Sequence, residues 1–255
     1  SMPGTPGRSA SRRYGAPAPP RDVDPFDGVL LVDKPAGPTS HDVVDAVRDV
    51  FGLRKVGHGG TLDPQATGLL IILTGRGTKL SNRFLSSDKT YTGVFGLGVA
   101  TDSQDSEGAV TSRRDAGGVT REAVEAACRA RVGDQYQTPP MISAVKVDGV
   151  PLYKKGRKGQ DVEREPRLIH VYRFGVESFD PPWVGFELRC TKGTHVPTLC
   201  ADIGEELGCG AYLAKLDRTR SGDLSIDDAM PLEDLLKLSK DGLRDRILPM
   251  RRFLR

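Results

Sequence analysis

Apolar positions recur along this chain with two different periods. At 40–51, Val43, Val44, Val47, Val50 and Phe51 fall at helical spacing, and Ser40 is in place to cap the start. The same spacing predicts a helix over 78–87 with Leu80, Phe84 and Leu85 inward, and one over 120–131 with Val124, Ala127 and Cys128 inward. A fourth, over 196–207, presents Leu199, Ile203 and Leu207 and stops at Gly208. Continuous or alternating apolar runs predict strands at 28–32, 69–73, 91–97, 168–179 and 183–191. Strands and helices are interspersed without strict alternation, which makes the fold class α+β rather than a doubly wound sheet. Leu232, Leu235, Leu236 and Leu238 mark 231–255 as a short helical extension. Residues 1–25 are Pro, Gly, Ser and Arg with almost no large apolar side chain. They cannot offset their ordering entropy and are expected to form a disordered basic tail.

Composition adds limits rather than a function. The 255 residues suffice for a substantial core. No apolar run is long enough to span a bilayer, and no charged-then-apolar start suggests a signal peptide. The four cysteines, Cys128, Cys190, Cys200 and Cys209, lack Cys-x-x-Cys spacing and read as reduced, buried thiols of a cytoplasmic protein. The four histidines, His41, His58, His170 and His195, share no metal-ligand spacing, so neither a metal nor another cofactor is implied. A net charge of +3 permits nucleic-acid binding without demanding it. Lys146, Lys154, Lys155, Arg157 and Lys158 surround Tyr153 in a basic stretch suited to an RNA face, or simply to solvent.

One segment carries chemistry. Gly57-His58-Gly59-Gly60-Thr61-Leu62-Asp63-Pro64 places a lone carboxylate in a glycine-rich turn, where backbone can approach a ligand closely. Pro64 biases Asp63 toward extended backbone, so its side chain can stand at the lip of the loop. An acid on a loop between packed elements is a common place for catalysis, and turn chemistry alone also allows a solvated, capped turn.

This stretch resembles the catalytic motif of the TruB family of tRNA pseudouridine synthases. Five further blocks are similar to that family in the same order: 28–40 with its Lys-Pro turn, 88–91, 139–146, 152–159, and 192–194 with 202–211. Together they cover roughly 26–229. The resemblance implies a catalytic domain at 26–230, built as a long mixed sheet, mostly antiparallel, with helices around a central cleft. It implies an isomerase that flips the T-loop uridine out of the stack and rejoins its ring through carbon. The implied nucleophile is Asp63, and Tyr91 is the ring that stacks on the flipped base; a core aromatic is the plain alternative for Tyr91. His58 falls where the family has a histidine near the vacated base position, and Leu216 where it has an apolar pocket wall. Lys34 is a candidate backbone or phosphate contact, and Lys146 a candidate RNA contact. The implied partner is the T-arm of tRNA, and the protein is expected to be a monomer. Relatives usually continue into a small RNA-binding domain of the PUA type, where this chain stops.

Two positions depart from the family pattern. After Lys192-Gly193-Thr194 the family has Tyr, an aliphatic residue and an Arg that pairs with the catalytic Asp; here stand His195, Val196 and Pro197. After Leu216 the family favours Arg; here stand Asp217 and then Arg218. Pro197 falls in a first helical turn, where a missing N–H costs little, with Thr194 available as cap. A deeply buried Asp63 without its arginine is expected to titrate near neutrality unless His195, if protonated, or Arg218 takes over. The alternative to an active isomerase is therefore a tRNA-binding protein with a weakened site.

Overall fold

The computed structural model describes residues 23–138, 146–147, 150–151 and 165–254. In chain order the first strands are β1 (Gly28–Lys34), β2 (Val56–His58), β3 (Thr67–Thr74), β4 (Lys89–Leu97), β5 (Val99–Thr101) and β6 (Val110–Arg113). β7 (Gly133–Gln137), β8 (Lys146–Val147), β9 (Val150–Pro151), β10 (Arg167–Asp180) and β11 (Trp183–Cys190) follow. The last are β12 (Ala211–Ser221), β13 (Leu224–Ser225), β14 (Met230–Pro231) and β15 (Leu248–Pro249).

The two most apolar runs, β1 and β3, lie side by side and antiparallel, with Leu31 opposite Ile71. Both are buried on both faces, which explains their unbroken hydrophobicity. The central sheet has eleven strands, with a main path β14-β1-β3-β12-β4-β11-β10-β7. From β12 to β7 every pairing is antiparallel. The β3–β12 join is parallel, through Asp217 opposite Thr67 and Arg218 opposite Gly68. This join is the seam of the molecule. One core lies on the β12–β4 side and two lie on the opposite faces of β1 and β3; the half-buried Leu216 touches the first and one of the other two.

Six α-helices are described: α1 (Ser40–Phe51), α2 (Ser81–Leu85), α3 (Arg121–Ala130), α4 (Val196–Glu206), α5 (Leu232–Leu235) and α6 (Lys240–Arg246). None is long and apolar enough to cross a membrane. α1 buries Val43, Val44, Val47 and Phe51 but leaves Val50 exposed, and its cap is Thr39. Thr39 and Asp42 satisfy each other's main-chain N–H in a capping box, which leaves Ser40 inside the helix with its hydroxyl turned inward. The helix expected over 78–87 is a 3-10 helix at Gly75–Leu80 running into α2, and Leu85 is exposed rather than buried. α4 starts at His195 as N-cap, without a side-chain cap; Thr194 instead donates to the Thr191 carbonyl.

β12 is the longest of the strands that periodicity fails to reveal. Lys215, Asp217, Arg218 and Arg220 interrupt its apolar pattern because it runs beside the cleft. The segment after 230 is not only helical. β14 and β15 both pair with β1, and Phe253 meets Phe84 edge-on at 5.4 Å. All four cysteines are free and buried. Of residues 1–25, those before 23 lie outside the described residues, as do 139–145 and 152–164. The basic side chains expected at 154–158 fall in that last range, and Lys146 is placed only as part of β8.

Candidate active site

The Asp63 loop is fastened by residues from three distant parts of the chain. β2 pairs with β3 (Gly57 opposite Leu73), so the chain leaves the sheet at Gly59, turns through 60–66 and returns as β3. Gly60 has φ +140°, a conformation L side chains rarely adopt. The Ser40 hydroxyl donates to the Leu62 carbonyl at 2.9 Å and accepts from Leu62 N at 2.8 Å. Lys34 is 0% exposed, and its ammonium donates to the carbonyls of Pro35 (2.8 Å), Pro38 (2.8 Å) and Pro64 (3.0 Å). It thus locks the Lys-Pro turn onto the Asp63 turn. Of the two contacts expected for Lys34, backbone or phosphate, it makes the backbone one: its buried ammonium is committed to three carbonyls.

Arg218 completes the frame from β12. Its Nε donates to Leu69 O at 2.9 Å, Nη1 to Thr61 O at 3.2 Å and Nη2 to Gly60 O at 3.0 Å. The same guanidinium interacts with the Tyr91 hydroxyl. Arg218 is therefore a buried brace between Tyr91 and the Asp63 loop. His58, half-buried, accepts from Gly60 N at Nδ1 (3.2 Å) and shapes the same turn.

Asp63 opens on a cavity of about 240 Å³ that is also lined by Asp105, His195, Pro197, Leu213 and Leu216. Its carboxylate is reached by solvent through that cavity, so it is not the deeply buried group considered from sequence. The surrounding protein still strips enough water to push its pKa above the usual carboxylate range, and Asp105 adds to the rise. Lys34 and Arg218 pull in the opposite direction. Both positive neighbours of Asp63 are thus buried bases held by backbone carbonyls. Desolvation raises the Tyr91 pKa as well, against the pull of Arg218.

His195 does not supply the missing positive charge. Burial depresses its pKa to about 4, against the pull of Asp105, so it is neutral at physiological pH. Pro197 stands on the cavity wall and brings no charge. Asp217 accepts from the Thr67 hydroxyl at 2.6 Å and is spent on the β3–β12 seam. Sequence reasoning missed Asp105. It sits in the polar run 101–108, which reads as an ordinary turn, and only its bridge to Leu213 of β12 carries it to the cavity. Ser103 Oγ (2.6 Å) and Glu107 N (3.0 Å) donate to its carboxylate.

A long mixed sheet with a carboxylate loop and a tyrosine strand meeting at its seam defines the pseudouridine-synthase class of fold. Solved structures share it. The chain superimposes with a TM-score of 0.71 on one described as a Cbf5–Nop10–Gar1 complex, at 28% identity, covering 89% of this chain and 61% of that one. A second, an H/ACA RNP bound to a substrate RNA containing 2′-deoxyuridine, gives a TM-score of 0.68 at 26% identity, with 89% and 60% covered. The chain thus spans about three fifths of those longer chains. The model of the TruB family pseudouridylate synthase N-terminal domain matches residues 48–196, and that of the tRNA pseudouridylate synthase B C-terminal domain matches 198–255. The tRNA pseudouridine synthase B of Opitutus terrae is 50% identical over 225 residues, 88% of this chain and 93% of that protein. That of Syntrophotalea carbinolica is 43% identical over 230 residues, 90% of this chain and 75% of that protein. The chain belongs to the TruB family of pseudouridylate synthases and is an enzyme of that class.

Proposed function

We propose that this chain isomerises the T-loop uridine of tRNA, through a catalytic unit spanning 26–230. Asp63 is the nucleophile, and Tyr91 is the face on which the flipped base stacks. The N1–C1′ bond breaks, the ring turns, a C5–C1′ bond forms, the C5 proton leaves and N1 gains one. An ionised carboxylate suits the first step because it can meet the electron-poor anomeric carbon and leave again. The observation that carries the reading is the frame around Asp63. Arg218 ties Tyr91 to the loop that presents the carboxylate to the cavity, so nucleophile and stacking ring are held by one side chain. The apolar wall at Leu216 suits the body of a pyrimidine.

A weakened site is the second reading, favoured by Pro197 on the cavity wall and by the raised pKa of Asp63. Tritium release from a T-arm stem-loop labelled at uridine C5 separates the two. The expected result is release by the wild type and none by Asp63→Asn, which still binds the RNA. Release by Asp63→Asn would remove Asp63 from the nucleophile role, and binding without release by the wild type would favour the weakened site.

A further inference from the structure

His195 carries one ring proton and one lone pair, and its neighbours decide which nitrogen has which. Both of its main-chain groups are engaged by one side chain. Gln137 Nε2 donates to its carbonyl at 3.1 Å, and its N–H donates to Gln137 Oε1 at 2.8 Å. Nδ1 lies 2.8 Å from Thr198 Oγ1. The Thr198 hydroxyl has a single proton, which it donates to Gln104 Oε1 at 2.7 Å. The proton in the His195–Thr198 link therefore comes from Nδ1. The ring is neutral, so Nε2 holds the lone pair.

The far end of this chain of bonds is also fixed. Among the described residues Gln104 is the one non-glycine with positive φ (68°), and its carbonyl accepts from Leu213 N at 2.9 Å. No hydrogen bond to Nε2 is found among the described residues, Nε2 is not one of their sealed unpaired atoms, and the residue lines the cavity that holds Asp63. The cavity that holds Asp63 is thus lined by a ring whose acceptor nitrogen is set by its bond to Thr198.

We propose that His195 Nε2 accepts a hydrogen bond from the ring N3–H of the flipped uracil and so selects uridine against cytidine. This deepens the reading of the cavity as a uridine site and rests on it. Uracil N3 is a donor, whereas cytosine N3 is an acceptor. A fixed lone pair attracts the first and repels the second. An amide side chain could turn over to suit either base; a ring held by Thr198 cannot.

The test compares two T-arm stem-loops that differ only in carrying U or C at the target position. Their phosphates are identical, so the salt-dependent part of binding cancels in the ratio of dissociation constants. Measured in an Asp63→Asn background to prevent turnover, U should be favoured about ten-fold or more. His195→Phe keeps a ring but no acceptor and should bring the ratio close to one. His195→Gln, whose amide can turn over to meet either base, should leave the ratio close to one as well. Thr198→Val, which releases the ring, should lower the ratio even if His195→Phe fails to fold. The ring ¹⁵N spectrum of the wild type at neutral pH should show a protonated Nδ1 and a bare Nε2. An unchanged ratio in both His195→Phe and Thr198→Val, or a protonated Nε2, overturns the proposal. Tritium release by the wild type alongside such a result leaves the uridine-site reading standing; no release and no binding removes both.

Discussion

Asp63 sits between opposing influences: desolvation and Asp105 raise its pKa, while Lys34 and Arg218 lower it. The rise wins, so the reactive anion is lost at a higher pH than for an ordinary carboxylate. Activity should therefore fall as pH drops through a value above the usual carboxylate range. Pro197→Arg places a guanidinium on the cavity wall and should move that acid limb to lower pH. Below the wild-type midpoint, single-turnover rates should rise about ten-fold, the effect of lowering an Asp pKa by one unit. Loss of Pro at a first-turn position leaves the helix intact. Asp217 is bonded to Thr67, so adding Asp217→Arg should give no further gain. An acid limb unmoved by Pro197→Arg would show that Arg218 and Lys34 already do what the family's arginine does.

At the scale of elements, the site depends on how closely β3 and β12 approach. Gly68 has φ +104°, and a Cβ there would lie 2.3 Å from Arg218 O and 2.7 Å from Arg218 N, both backbone atoms. Gly68→Ala should destabilise the protein by about 2–4 kcal/mol from strain and overpacking together. That is a fall of roughly 5–10 °C in melting temperature for a chain of this size. Because Arg218 braces the Asp63 loop, activity should fall at temperatures where the variant is still folded. Gly57→Ala is the control: the nearest atom to its Cβ would be Thr78 Cγ2 at 3.7 Å, an ordinary contact. Calorimetry of the two variants beside turnover rates decides it; equal melting temperatures would mean the seam is more compliant than its geometry implies.

Over the whole molecule, the recognition of a large polyanion should show as salt dependence. The net charge is only +3, so binding must come from where the bases lie rather than from their sum. Several of those bases are already spent. Lys34 and Arg218 are buried, and Lys89 caps the carbonyls of Phe84, Leu85 and Ser87. Phosphate contacts must therefore come from basic side chains other than these. Affinity for the T-arm should fall ten-fold or more between low and physiological salt, with log K linear in log salt. A flat profile, measured by filter binding, would argue against an interface built on phosphates.

Sequence by itself determined the α+β class, the helical faces of α1, α3 and α4, the apolar β1 and β3, and the loop that carries Asp63. Those follow from local periodicity and turn chemistry, which adjacent residues set on their own. Tertiary structure decided the rest. Lys34 became a lock on the Asp63 turn, Arg218 a brace whose partner Thr61 is 157 residues away, and Asp105 a wall of the cavity. The charged strand β12 was hidden because its polar positions answer to the cleft rather than to the core. Whether a buried base or a histidine carries charge depends on desolvation and on partners brought together only by folding. For His195, the deciding neighbours are Thr198 on its own helix and Gln104 on a loop 94 residues from Thr198.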